Sequence, residues 1–157
     1  MREIKYKVLV IGLGNILMAD DGLGVYASEE LKKKKWPPGI AILEVGTSVM
    51  CYLEEISLSR NVIAMDAVRA GGKPGTIYRL TPGGVVNPPD CWRDSHGLQL
   101  PGVIALAREL KGFPASFIVY GMEPLDLSYG FLLSAAVKKS LPLMISKVGE
   151  EIKRLFS

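Results

Sequence analysis

Three side chains at well-separated points of this 157-residue chain have the chemistry to hold a transition metal: Asp21, Asp66 and His96, the last being the only histidine present. Asp21 follows an apolar run and a glycine turn. Asp66 closes the apolar run Ile63-Ala64-Met65. His96 stands between a Pro- and Gly-rich stretch and a helical pattern. Each has a plainer reading. An Asp after a strand caps turns, and a lone histidine is often a surface or capping residue. Together they form a mixed oxygen/nitrogen donor set, suited to zinc or nickel rather than to calcium or magnesium. Three protein ligands leave room for water or for donors from a partner.

Other chemistries lack their marks. HExxH, GxSxG and clustered cysteines are missing, which speaks against a self-contained zinc site or a serine triad. Gly12-Leu13-Gly14 fails the dinucleotide pattern because position 17 is Leu, and no P-loop follows it. The adjacent acids Asp20 and Asp21 would repel a phosphate. Cys51 and Cys91 form no CxxC pair and read as buried free thiols of a reduced interior.

The elements that must position these residues follow from periodicity. Lys7 to Ile11 reads as a strand buried on both faces, and the break at Gly12-Leu13-Gly14-Asn15 allows a sharp turn. Leu23 to Leu31 has helical spacing and stops before Pro37-Pro38. Ile40 to Val45 is a second strand, and Thr47 or Ser48 can cap a helix running to about Ile56. Asn61 to Met65 is a third strand. The turn from Ala70 to Gly75 is too short for a helical crossover, so the strand Thr76 to Leu80 is expected to be antiparallel, as in a hairpin. Thr81 to Asp94 reads as an exposed loop, Leu98 to Leu110 as a helix, and Ser116 to Tyr120 as the last strand. Tyr129 to Phe156 is mostly helical with a break near Pro142. The alternation predicts an α/β fold: a three-layer α/β/α sandwich around a five-stranded, mostly parallel sheet with one antiparallel strand. Acids at strand ends then sit at the carboxyl edge of the sheet, where open α/β sheets bind ligands.

Length predicts a single domain, 1–157. A hydrophobic content of 48% and a mean hydropathy of +0.24 suit a sheet covered on both faces. No apolar run reaches the roughly 18 residues of a membrane span. The amino terminus enters the first strand directly, without the pattern of a signal peptide, so the expected compartment is the cytoplasm. A net charge of +3 is too small to argue for nucleic acid, and the run Lys32 to Lys35 reads as a solvated helix end.

The stretch Gly12-Leu13-Gly14-Asn15-Ile16-Leu17-Met18-Ala19-Asp20-Asp21-Gly22-Leu23-Gly24 resembles the amino-terminal signature of the hydrogenase maturation endopeptidases. The resemblance continues in order through Gly46-Thr47, Met65-Asp66-Ala67, Pro74-Gly75-Thr76, Asp94-Ser95-His96-Gly97-Leu98, Gly121-Met122-Glu123-Pro124 and Gly130-Phe131-Leu132-Leu133-Ser134. It implies an endopeptidase that removes a carboxyl-terminal peptide from the nickel-loaded large-subunit precursor of a nickel–iron hydrogenase. The nickel would come with the precursor, and zinc or another divalent ion could take its place in a crystal. Carried over by position, the metal-contacting and catalytic residues are Asp21, Asp66 and His96. Many members have Glu where this chain has Asp21. The shorter side chain reaches ~1.5 Å less, which leaves Asp20 open as the ligand. Whether metal or a carboxylate activates water is open too. A non-catalytic chaperone binding nickel or the precursor through the same residues is the other reading.

Overall fold

A computed structural model describes residues 3–81 and 99–157. Five strands, β1 (Tyr6–Leu13), β2 (Ile40–Gly46), β3 (Ser59–Ala67), β4 (Ile77–Leu80) and β5 (Ser116–Met122), form one sheet in the order β2-β1-β3-β5-β4. Among the described residues four helices accompany them: α1 (Leu23–Lys32), α2 (Leu53–Ser57), α3 (Gln99–Lys111) and α4 (Ala135–Phe156). The first four strands of that order run parallel, and β4 pairs antiparallel with β5. This is the expected α/β/α architecture.

Strand periodicity sorts the core into two layers. Leu9, Ile11, Val62 and Ala64 face one side, where Ile56 of α2 and Leu100, Ile104 and Ala107 of α3 cover them. Val8, Val10, Ile63 and Met65 face the other, against Leu23, Ala27 and Leu31 of α1 and Val137, Met144, Val148 and Ile152 of α4. Both faces of β1 and β3 are therefore covered, which is why those strands read as continuous apolar runs. Among the described residues, no helix is long and apolar enough to cross a membrane.

Four expectations need correction. The strand β4 is antiparallel, but its partner is β5 and not β3. Pairing of Asn61–Ala67 with Ser116–Met122 already fills that edge of β3. The short link is also tied to the end of β5, where Gly75 N donates to Glu123 O (2.8 Å) and Glu123 N donates to Thr76 O (2.8 Å). Second, α4 runs through Pro142 without a break. Pro142 lies on the exposed side of the helix, and Leu141 and Met144 hold its other side in the core. The missing bond therefore falls on the wet side, where water can replace it. The helix also starts later than expected, at Ala135. Third, Ser48 makes no side-chain cap bond, and only a 3-10 turn (Val49–Tyr52) and the five-residue α2 follow it. Fourth, Cys51 is exposed. Cys91 and most of the predicted loop lie outside the described residues.

One buried acid fastens α4 to the sheet edge. Glu151 is 4% exposed; it accepts from Arg79 Nε (2.6 Å), Arg154 Nε (2.5 Å) and Tyr120 Oη (3.1 Å). Burial alone would raise its carboxyl pKa, but the hydrogen bonds from Arg79, Arg154 and Tyr120 outweigh it and hold the pKa below the ordinary 4.5. A depressed carboxyl stabilises the fold above its unfolded pKa and loses that contribution as pH falls through the folded value. Acid unfolding followed by circular dichroism should therefore weaken the wild type below pH 4.5. Glu151→Gln should start less stable at neutral pH and lose less on acidification. Parallel curves for the two proteins would contradict this linkage.

Candidate active site at the carboxyl edge of the sheet

From β1 the chain crosses to β2 on one side, then returns past β1 to β3 on the other. The carboxyl ends of β1 and β3 therefore flank the point where the winding reverses, the usual ligand crevice of an open α/β sheet. Asp66 is the next-to-last residue of β3 and is 3% exposed. Its Oδ1 accepts from Ala67 N (2.8 Å).

Beyond β1, Gly14 has φ +111° and Asn15 starts a tight turn in which its Oδ1 accepts from Leu17 N (2.9 Å). A 3-10 turn, Ala19–Gly22, then leads directly into α1. Asp21 sits in that turn, half-buried, and its Oδ2 accepts from Asn15 N (2.9 Å). A Cβ added to Gly14 would collide with the Asp21 carbonyl oxygen and lie 3.5 Å from Asp66 Oδ1. The glycine thus lets the Asp21 backbone carbonyl and the Asp66 carboxylate both approach the turn that follows β1, with its positive φ supplying the bend. Each carboxylate is oriented by a backbone N–H, the kind of outer partner that aims a metal ligand.

Asp20 does something different. It is fully buried, and its oxygens accept from Leu125 N (2.9 Å), Asp126 N (3.0 Å), Ser134 N (2.7 Å) and Ser134 Oγ (2.7 Å). On a tight turn adjacent side chains diverge, so Asp20 is enclosed by 125–134 while Asp21 is only half-buried. Of the two candidates, Asp21 is the one at the rim. His96 lies outside the described residues. Among the described residues, no group of three or more His, Cys, Asp or Glu side chains gathers to hold a metal ion.

Two functional supports were not found from residue type. Asp20 is one. The other is Glu123, 6% exposed, whose Oε1 accepts from Ala70 N (2.9 Å), Gly72 N (2.9 Å) and Tyr78 Oη (2.8 Å). It shapes the turn that leaves β3 just after Asp66. A Glu directly followed by Pro124 at a strand end is the signal that could have found it. A groove of about 290 Å³ opens beside Gly14 and Asn15, reaching Val45, Gly46 and Thr47 at the end of β2. A cavity of about 350 Å³ lies instead beside Arg79 and Glu151, at the β4 edge.

The fold that carries this crevice is shared with solved endopeptidases. The hydrogenase maturating endopeptidase HybD from E. coli superposes with a TM-score of 0.84 at 26% identity, over 94% of this chain and 92% of that one. The family profile described as HycI, hydrogenase maturation protease, matches residues 25–151. The chain belongs to the hydrogenase maturation protease family. Its relatives include the hydrogenase expression/formation protein HupD of Rhodobacter capsulatus, 29% identical over 94% of this chain and 71% of that protein. HupM of Azotobacter chroococcum mcd 1, also a hydrogenase expression/formation protein, is 29% identical over 85% of this chain. The matched region spans 66% of the length of HupM.

Proposed function

We propose that this chain is an endopeptidase that removes a carboxyl-terminal peptide from the nickel-loaded large-subunit precursor of a nickel–iron hydrogenase. The observation that supports this most directly is that Asp66 at the end of β3 and the turn carrying Asp21 both pack against Gly14 at the sheet's reversal point, in a member of this protease family. Two hard oxygen donors aimed by backbone N–H groups suit a divalent ion. His96 is proposed as the nitrogen donor completing the set. The nickel belongs to the substrate and is carried by the precursor. Bound there, it supplies Lewis-acid polarisation of a carbonyl or acidification of a water. Asp21 and Asp66 hold the ion's protein-facing side and so fix the scissile peptide relative to the crevice. A carboxylate within reach of the attacking water accepts its proton as the carbon–nitrogen bond breaks and the new amino terminus is protonated.

The test is intact-mass measurement of nickel-loaded and nickel-free precursor after incubation with the purified chain. The nickel-loaded precursor should shorten by one carboxyl-terminal peptide, and the nickel-free form should not. His96→Ala should stay folded and leave the precursor uncut. An unchanged mass of the nickel-loaded precursor with wild-type chain would replace protease with chaperone.

A further inference from the structure

The large apolar side chains left exposed are unevenly placed. Among the described residues, Met50, Leu110 and Leu143 are exposed singly, whereas Ile16, Leu17, Leu125, Tyr129, Phe131 and Leu132, between 38% and 84% exposed, occupy two short segments. Those segments are bound to one another. Ala19 N donates to Gly130 O (2.8 Å), Gly130 N to Leu17 O (2.8 Å) and Asp20 N to Asp126 O (2.9 Å), and Met18 and Gly130 form a parallel bridge. The Asp20 carboxylate adds four bonds to 125–134, and Tyr26 Oη donates to Phe131 O (3.0 Å). Ala19 is held at φ +49°, a left-handed conformation that a non-glycine residue keeps only when its surroundings over-determine it. The two segments are therefore one apolar collar with a polar rivet beneath it.

We infer that this collar is the docking surface for the peptide flanking the cut site of the precursor, and that Asp20 is the positioning residue that holds it in register with Asp21. The inference rests on the proposed processing function. Continuity selects the occupant, because the residues paired to the collar run without interruption into Asp21. A peptide whose bond is cut beside Asp21 lies within reach of this rim, because Asp20, which ties the collar down, is the residue next to Asp21. Exposed aromatic and branched side chains on a pre-ordered backbone bind such a segment through its apolar side chains at small entropic cost. Asp20 suits the rivet: an Asn there would turn its amide toward backbone N–H donors and forfeit part of the nest.

Binding of nickel-loaded precursor is measured by calorimetry with wild type, Asp20→Asn, Leu132→Ser and, as a control on the exposed side of α4, Leu143→Ser. Cleavage is measured in parallel. Asp20→Asn and Leu132→Ser should each weaken binding by about tenfold, the scale of losing one anchoring contact. Leu143→Ser should bind as wild type does. At saturating precursor the turnover of Leu132→Ser should be unchanged, so that its defect falls on KM. In Asp20→Asn the amide hydrogens of Leu125 and Ser134 should exchange faster. If Asp20→Asn fails to fold, Leu132→Ser decides. Wild-type binding without cleavage would end the protease reading and leave the docking surface standing. Equal binding by wild type and Leu132→Ser, or no binding by wild type, would overturn the inference.

Discussion

Asp66→Ala is expected to abolish processing while leaving the fold intact. Losing only an outer partner of a metal ligand costs about 10–100-fold, so losing Asp66, if it is the ligand proposed above, should lower the cleavage rate by roughly 10³-fold. The structural cost is smaller. The residue buries one carboxylate at the end of β3, and its charge-assisted bond to Ala67 N is worth about 1.5–3 kcal/mol. Asp66→Asn keeps that bond and the side-chain volume but removes the charge, so it should be as inactive as Ala and melt closer to wild type. Asp21→Ala should behave alike, because Asp21 is the acid at the rim. Time courses of precursor mass, set beside thermal melts, check all three. Cleavage at the wild-type rate by folded Asp66→Ala would remove this carboxylate from the chemistry.

Gly24→Ala carries the largest expected effect on stability. Replacing a helical glycine normally gains about 1 kcal/mol. Here the new methyl would strike the Met65 carbonyl oxygen and approach Leu13 O to 2.5 Å and Leu13 N to 2.9 Å. These are backbone atoms in two central strands, and they cannot swing aside as a side-chain tip can. Overpacking of this kind costs about 1–3 kcal/mol or more, and the rigid neighbours put this site at the upper end. A net loss of about 2 kcal/mol should lower Tm by roughly 4–8 °C. Because α1 begins at the acid turn, pushing it off the sheet should also shift Asp21 and slow cleavage. A melt unchanged or raised would show that α1 can retreat without cost.

The central sheet was readable because each signal was local. The run from Val8 to Ile11 and its counterpart from Val62 to Met65 carry their burial in their composition, and the glycine turn marks where the first one ends. Both acidic positions at the reversal point could therefore be placed at strand ends without a structure. That Asp20 is the enclosed member of the pair could not be read, since adjacent identical side chains give no phase until the 3-10 turn is known. The partner of β4 was hidden for a different reason. A short link limits how far a strand can travel, but it does not say that β5 will take the neighbouring edge first. Pro142 was misleading because its effect depends on which side of a helix it occupies. His96 was found by chemistry, being the one imidazole, and its position relative to the two acids lies outside the described residues.

The four-residue strand β4 at one border of the sheet has a consequence for how such a chain survives in a crowded solution. Long, flat outer strands offer an unpaired ladder to any passing backbone and so invite stacking between molecules. Here the outermost strand is Ile77–Leu80, with the Arg79 side chain 45% exposed and clasped to the next layer. A border that short, carrying a charge, gives a neighbouring chain little to grasp at this edge of the sheet.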